Sequence, residues 1–277
     1  MSGPYYLGID IGSLTVKAVL MNANQHVLAR EVTPAGYGGQ EAAEALVAHL
    51  LESVDLHDQK EAALESTHKG VAPTQVAYTV VTGYGRVRFN AADEEVSEIS
   101  CHARGAFQLS GAVRTVVDIG GQDSKAIRLD PSGRVVDFAM NDKCAAGTGR
   151  FLEVMAAALG VPIEEFGTLA LKSEHPVSIS STCTVFAESE AISHIARGAA
   201  RQDVAAGLHQ AIASRLFGLL SRVGLEPEVM LTGGVALNAG VVTALARLCA
   251  RQITVPADPQ TVGALGAALY AWHRGRR

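Results

Sequence analysis

Two stretches of the chain repeat one order of apolar and polar positions. Each has an apolar run that ends in Asp-Ile-Gly, a tight turn, a second apolar run and then a third. Short β-branched runs between Gly, Ser and Pro turns are typical of antiparallel strands, so each stretch is predicted to form a three-stranded meander. The predicted strands lie at 5–20, which holds two strands around a Gly-Ser turn, at 27–33, and, in the second stretch, at 114–119, 124–129 and 135–139.

Segments with apolar residues at helical spacing follow both meanders. The predicted helices lie at 41–52, 148–159, 184–197, 203–223 and 263–272, and two further strands lie at 76–82 and 229–231. The polar segment 53–75 is predicted to be a loop or a loose helix.

The repeated Asp-Ile-Gly motif predicts an α/β protein with two similar lobes, each a mixed sheet with flanking helices. A length of 277 residues also suits about two domains. The predicted first lobe covers 1–111 and the second covers 112–262. The C-terminal helix at 263–277 is predicted to be able to pack back on the first lobe.

Composition and charge narrow the function classes. Hydrophobic residues make up 48% of the chain, charged residues make up 18%, and the formal net charge is −5. These values favour a large core and give no reason to expect a nucleic acid or an anionic membrane as partner. We find no apolar run long enough to span a bilayer and no signal peptide, since Asp10 interrupts the first apolar run. A cytoplasmic location is therefore expected.

An acidic residue stands beside a glycine turn in both repeats. Asp10 precedes Gly12, and Asp118 precedes Gly120 and Gly121. Glycine turns let backbone N–H groups approach phosphates closely, and a neighbouring carboxylate can hold Mg²⁺ or orient an attacking water. Either turn alone also fits an ordinary β-turn with an Asp cap. The presence of two copies in equivalent positions favours a nucleotide site.

A third glycine pair follows the predicted strand at 229–231, and the chain has no P-loop motif. Taken in order, the three glycine loops resemble those of actin, hexokinase and the large heat-shock chaperones. The resemblance implies two ribonuclease-H-like lobes with ATP or ADP and Mg²⁺ in the cleft. Asp10 and Asp118 would then handle Mg²⁺ and the attacking water, whereas Lys17 is interpreted as a solvated strand residue. The residues expected around the phosphates are Gly12, Ser13, Leu14, Gly120, Gly121 and Gln122, and those expected by the nucleoside are Gly233, Gly234 and Asn238.

Cys144 and Cys183 each precede a helical pattern, and no cysteine pair has C-x-x-C spacing. A helix N-terminus stabilises a thiolate, and the residues at 180–182 are expected to cap the helix after Cys183. The alternative is that both are small buried hydrophobic residues, the role assigned to Cys101 and Cys249. A 4Fe–4S cluster usually needs four thiolates, which two chains related by a two-fold axis could supply.

Longer strings resemble one family, the activators (component A) of 2-hydroxyacyl-CoA dehydratases within the BadF/BadG/BcrA/BcrD ATPase family. The resemblance rests on VDIGGQD at 117–123, NDKCAAGTGRF at 141–151 and STCTVFAESE at 181–190, with further matches at 82–86 and 263–270. It implies an oxygen-sensitive homodimer that holds one 4Fe–4S cluster through Cys144 and Cys183. It also implies ATP-driven transfer of single electrons from ferredoxin or flavodoxin to a 2-hydroxyacyl-CoA dehydratase or a related acyl-CoA reductase component.

Three other interpretations remain open from the sequence: a non-redox kinase of the same superfamily, an ATP-binding subunit of benzoyl-CoA reductase, and a regulatory ATP sensor. The activator of a double-cubane cluster reductase is a variant of the main hypothesis. Asp123, Glu188 and Glu190 fit either switch residues or plain helix-end charges.

Overall fold

The computed structural model describes residues 4–37, 39–64, 76–180 and 183–276, with the side chains of 55–64 left out. Two compact units divide the chain, one formed by Met1–Leu109 with Gln260–Arg277 and the other by Ser110–Pro259. In the described part of the chain, no helix is both long and apolar enough to cross a membrane.

The first unit contains a five-stranded mixed sheet in the order β3-β2-β1-β4-β5. The central strand β1 is antiparallel to β2 and parallel to β4. All seven residues of β1 are buried, which explains why this strand is an almost continuous apolar run. The elements of this unit are β1 Tyr5–Ile11, β2 Thr15–Met21, β3 Val27–Pro34, α1 Gln40–Leu64, β4 Val76–Thr82, β5 Glu94–Glu95, α2 Glu98–Leu109 and α8 Val262–Arg274.

Helix α1 covers one face of this sheet. Its buried residues Ala43, Leu46, Leu50 and Val54 recur at helical spacing and pack in one cluster with Ile9. The helix continues to Leu64, so residues 53–64 are helical, which agrees with one of the two alternatives predicted for 53–75, a loop or a loose helix. The remainder of that segment, 65–75, lies outside the described residues.

Helix α8 covers the other face through small residues that permit backbone contact. A Cβ atom at Gly8 of β1 would lie 2.1 Å from the carbonyl oxygen of Ala264, and one at Gly266 would lie 1.8 Å from that of Cys101 in α2. Glycine is required at both positions because real Cβ atoms do not approach backbone atoms this closely.

We expect Gly266→Ala to lower the free energy of unfolding by about 3 kcal/mol, because the added methyl group forces α8 and α2 apart. Gly218 gives the matched control, since it also lies in a helix, α6, but a Cβ there would meet nothing within 4 Å. Gly218→Ala is expected to raise stability by about 1 kcal/mol through helix propensity. Urea denaturation of both variants checks this, and equal effects would contradict the packing argument.

The second unit repeats the topology of the first. Its sheet has the order β10-β9-β6-β7-β8, with β6 antiparallel to β7 and parallel to β9. The predicted fold class, two lobes of mixed sheet with flanking helices, is therefore confirmed. The elements are β6 Thr115–Ile119, β7 Ser124–Leu129, β8 Val135–Asn141, α3 Gly149–Ala158, α4 Ile163–Ala170, α5 Thr184–Ala196, α6 Arg201–Val223, β9 Val229–Thr232, α7 Ala239–Cys249 and β10 Ile253–Thr254.

The core of this unit lies between its sheet and α3, α4, α6 and α7. The predicted apolar face of α3 is confirmed, since Phe151, Leu152, Met155 and Leu159 are all buried. On α5 the outcome differs, because Val185 and Ile192 are more than half exposed and the buried residues are Ala187 and Ala191. No predicted helix range covers α2, α4 or α7, and no predicted strand covers the short β5 or β10.

Candidate nucleotide site and cysteine loops

Asp10 is the second-last residue of the central strand β1, where it forms an ion pair that is largely shielded from solvent. Strand register places it opposite Lys17 on β2, and the Lys17 Nζ lies 3.1 Å from Asp10 Oδ2. The two side chains are 14% and 7% exposed, so the interpretation of Lys17 as a solvated strand residue is wrong. The strand turns sharply after this pair, where the Gly12 N–H donates to the Thr15 carbonyl.

Asp118 occupies the equivalent place in the second unit. It lies opposite Lys125 on β7, whose Nζ is 3.5 Å from Asp118 Oδ2 and 2.7 Å from Asp123 Oδ2. The hydroxyl of Thr232 also donates to Asp118 Oδ1 at 3.0 Å. Asp123 is thus a turn residue that binds a buried lysine, not a helix-end charge.

Both carboxylates are approached by a glycine that follows the parallel strand. Gly83 after β4 and Gly233 after β9 have φ angles of +91° and +85°. A Cβ atom at these glycines would lie 2.6 Å from Asp10 Oδ1 and 2.8 Å from Asp118 Oδ1, respectively. Only glycine satisfies both the backbone angle and the close approach. The two units therefore share one local design of aspartate, lysine and glycine.

Sequence reasoning missed the lysines of this design and the glycine after β4. The signal was present, because the lysine follows its aspartate by seven residues in both repeats and a Thr-Gly pair ends both parallel strands. An antiparallel pair joined by a tight turn brings such residues face to face. Comparing the repeats position by position would have found the match.

We expect Lys125→Met to lower the free energy of unfolding by about 3 kcal/mol, because two carboxylates would lose a buried cation. Arg134→Met is the control, since Arg134 also pairs with an aspartate, Asp130, but is 82% exposed at its side chain. That change should cost under about 1 kcal/mol. Urea denaturation at neutral pH measures both values, and a small effect at Lys125 would contradict the pairing.

The second phosphate-loop candidate contacts the start of α3. The Gly149 N–H donates to the Gly120 carbonyl and the Arg150 N–H to the Gly121 carbonyl, both at 2.9 Å. The first helical residues are therefore anchored directly on the glycine turn. Of the other predicted phosphate-loop residues, Ser13 and Leu14 are partly exposed in the turn after β1, and Gln122 is exposed.

The predicted nucleoside loop begins at Gly233 and enters a short 3-10 turn, Gly234–Leu237. Asn238 then caps α7, where its Oδ1 accepts from the Val241 N–H at 3.1 Å. The same oxygen lies 3.0 Å from Nε2 of His209, a buried residue whose pKa is lowered by burial. The structure shows Asn238 as the cap of α7, and its assignment to the nucleoside stays a prediction.

The two candidate cluster cysteines lie in different local structures. Cys183 is the exposed N-cap residue of α5, without a side-chain cap hydrogen bond. Cys144 is half-buried in the loop between β8 and α3, five residues before the helix begins. Both cysteines precede a helix as predicted, Cys183 directly and Cys144 with residues 145–148 between it and the helix. Helices α3 and α5 contact each other.

The segment before α5 is anchored by Glu190. The Ser180 N–H and hydroxyl both bind the Glu190 carboxylate at 3.0–3.3 Å. Ser180 therefore does not cap the helix as expected, and residues 181 and 182 lie outside the described chain. Glu190 is a positioning residue of this segment, whereas the structure assigns no such role to Glu188.

The other two cysteines are packing residues, as predicted. Cys101 in α2 and Cys249 in α7 are buried. Burial raises the pKa of the Cys101 thiol to about 12, and it also raises the pKa of Cys249. Since iron binds the thiolate, burial makes both poor ligands. Among the described residues of this single chain, there is no group of three or more His, Cys, Asp or Glu side chains that could hold a metal ion.

A buried carboxylate beside glycine turns, repeated on two sheets of one topology, is consistent with the duplicated fold of the actin/hexokinase-like ATPases. The sequence matches the BadF/BadG/BcrA/BcrD ATPase family over residues 7–271, so the chain belongs to that family and is an ATPase.

Curated relatives refine this placement. The chain is 47% identical over 273 residues to an activator of lactoyl-CoA dehydratase from Anaerotignum propionicum, covering 99% of both proteins. It is 43% identical over 274 residues, 99% of both, to the (R)-2-hydroxyglutaryl-CoA dehydratase activating ATPase of Acidaminococcus fermentans. One subunit of the benzoyl-CoA reductase from Thauera aromatica is more distant, at 36% identity over 74% of each chain.

Solved structures also resemble this chain. The activator of 2-hydroxyisocaproyl-CoA dehydratase from Clostridium difficile with bound ADPNP has a TM-score of 0.85 and 42% identity, with 98% of this chain and 96% of that chain covered. A glucokinase from Streptomyces griseus has a TM-score of 0.57 at 14% identity, covering 97% and 99%, and shares the fold alone. Membership of an ATPase family supports nucleotide binding by the present chain.

Proposed function

We propose that this ATPase couples ATP hydrolysis to the transfer of single low-potential electrons into a 2-hydroxyacyl-CoA dehydratase-type partner. The observation that supports the proposal concerns the start of helix α3. Helix α3 begins on the carbonyls of the Gly120–Gly121 turn and follows the loop that holds Cys144. The proposed phosphate turn and a redox-capable thiol thus adjoin the same helix, in a chain similar to named dehydratase activators over nearly its full length.

In this proposal Asp10 and Asp118 would hold Mg²⁺ and orient the attacking water. Each is a buried carboxylate beside a lysine, half-buried at Lys17 and buried at Lys125, an arrangement that keeps negative charge stable out of bulk solvent. The turns at Gly12–Leu14 and Gly120–Gln122 would bind phosphates, and the Gly233–Gly234 turn would contact the nucleoside. Glycine at these turns lets the backbone approach an anion closely.

The cysteine pair fits a shared 4Fe–4S cluster. A 4Fe–4S centre takes four thiolates and supplies one electron at low potential when bound. One chain offers Cys144 and Cys183 outside the core, while the other two cysteines are buried. Two copies about a two-fold axis provide four ligands. Exposed apolar side chains on α5, namely Val185, Phe186 and Ile192, suit burial in such a homodimer.

In this proposal α5 contributes to the ligand set through its N-terminus. The first turn of a helix has unpaired N–H groups and a positive dipole end, which stabilise the negative charge of a thiolate-ligated cluster. Cys183 lies at that end of α5. Ferredoxin or flavodoxin would reload the cluster with an electron. An exposed ligand also implies oxygen sensitivity.

A second candidate is an ATP-binding subunit of a benzoyl-CoA reductase, which the similarity to the Thauera aromatica protein favours. The two candidates differ in assembly. The activator proposal requires one chain to form a clustered homodimer alone, whereas a reductase subunit would need a paralogous chain to complete its ligand set.

The test is oxygen-free purification followed by iron and sulfide analysis and light scattering. We expect about four iron and four sulfide per two chains, together with ATP-dependent reduction of a co-purified dehydratase. Colourless, iron-free protein after attempted cluster reconstitution would contradict the redox proposal. A clustered species that forms only with a second kind of chain would favour the reductase subunit.

A further inference from the structure

Asn141 holds the loop that carries Cys144. The side-chain amide of Asn141, at the end of β8, donates to the Cys144 carbonyl at 2.9 Å and to the Ala146 carbonyl at 3.0 Å. A side-chain amide has two N–H donors, so both can be used on this loop. One side chain therefore fixes the backbone on both sides of Ala145.

The far end of the same loop is fixed to α3. Thr148 is buried, and its hydroxyl donates to the Ala145 carbonyl at 2.6 Å, while its N–H donates to the same oxygen at 3.1 Å. The next two N–H groups, of Gly149 and Arg150, donate to the glycine turn at Gly120–Gly121. Hydrogen bonds thus link the turn through residues 144–150 to Asn141.

Cys183 has a different anchorage. Its carbonyl accepts from the Ala187 N–H inside α5, and Ser180 just before it binds Glu190 of the same helix. The hydrogen bonds around Cys183 therefore hold it to α5, whereas Cys144 is held to Asn141, which pairs with Ser124 just after the glycine turn, and lies in a loop whose far end is bonded to Gly120–Gly121. This contrast makes Cys144 the ligand on which that turn acts directly.

We propose that Asn141 is a positioning residue that joins the Cys144 loop rigidly to the Gly120–Gly121 turn, so that the state of the bound nucleotide is transmitted to Cys144 rather than first to Cys183. This inference rests on the proposed function for the roles of the turn and of the cysteine. Tight backbone hydrogen bonding makes the turn, the loop and the first turn of α3 move together. Removal of both Asn141 donors would uncouple the loop while leaving the phosphate turn in place.

The experiment measures amide hydrogen exchange in the full-length protein as isolated without oxygen, with and without a non-hydrolysable ATP analogue. In the wild-type protein, the analogue should slow exchange in segment 142–150 at least about tenfold. Asn141→Ala should speed exchange in 142–148 by a similar factor and abolish the response to the analogue there. Nucleotide affinity should stay near the wild-type value. Where iron is present, the nucleotide-dependent shift of the cluster potential should also be lost.

Two further variants complete the test, one as a second removal of the donors and one as a control. Asn141→Asp has nearly the same size but lacks the donors, so it should reproduce the alanine result even if Asn141→Ala folds poorly. Asn22→Ala is the matched control, because Asn22 also organises a loop, accepting from the N–H groups of Asn24 and His26 in the other unit. It should leave segment 142–150 unchanged.

The inference is overturned if the analogue does not protect segment 142–150 in the wild-type protein, or if both Asn141 variants keep the full response. The same holds if the variants alter exchange equally around Cys183. Its failure is distinct from failure of the proposed function: iron-free protein that still shows the Asn141-dependent response would refute the electron-transfer role and leave the coupling standing.

Discussion

Replacing Cys144 by alanine is expected to remove essentially all iron from the protein. If each chain gives two of four cluster ligands, the variant dimer loses two thiolates at once, and two thiolates do not hold a 4Fe–4S centre. Iron and sulfide analysis after oxygen-free purification measures this loss, with the electronic absorption of the cluster as a second readout.

Cys249→Ala is the matched control for this experiment. Cys249 is a cysteine of the same unit, but it is buried in α7. This variant should keep the wild-type iron content. A full complement of iron in Cys144→Ala would mean that the ligand assignment is wrong, and loss of iron in both variants would point to general destabilisation.

Asp118→Asn is expected to lower the ATP turnover number by about 10²-fold or more, because the change removes the charge proposed to organise Mg²⁺ and the attacking water. Asparagine has nearly the same shape, and its oxygen can still accept from the Thr232 hydroxyl. The structure of the loop should therefore persist. Steady-state phosphate release gives the rate, and nucleotide titration shows whether binding is retained.

Asp137→Asn controls for the loss of a carboxylate from the same sheet. Asp137 lies on β8 and is exposed, with its Oδ1 accepting from the Phe138 N–H. ATP turnover should not change in this variant. If Asp118→Asn hydrolyses ATP at the wild-type rate, the second aspartate has no part in the reaction, and the ordinary-turn interpretation of the loop gains support.

The duplication of the fold could be predicted because it depends on local sequence. A buried central strand, a tight glycine turn and an antiparallel return strand need only neighbouring residues, so the meanders at β1–β3 and β6–β8 were predicted closely. The second half of helix α1 was predicted only as a loop or a loose helix because it is polar, and apolar periodicity is a weak guide there. Helix α4 spans only eight residues, too few for a clear period.

The residues of the candidate site could be predicted from the sequence only in part. The aspartates and glycine turns carry their own signal, whereas Lys17 and Lys125 resemble ordinary strand lysines until register puts each opposite an aspartate. Asn238 has a role that its sequence position did not predict, because its side chain caps α7. Side-chain partners distant in sequence decide such roles.

The sequence by itself determined the repeated mixed-sheet architecture, the two aspartate-glycine turns and the two cysteines outside the core, because each depends on residue type and on neighbours within a few positions. Only the tertiary structure decided that Lys17 and Lys125 pair with those aspartates, and that Asn141 and the Gly120–Gly121 turn hold the two ends of the loop that carries Cys144. These features depend on strand register and on hydrogen bonds between segments distant in sequence, which local patterns do not encode.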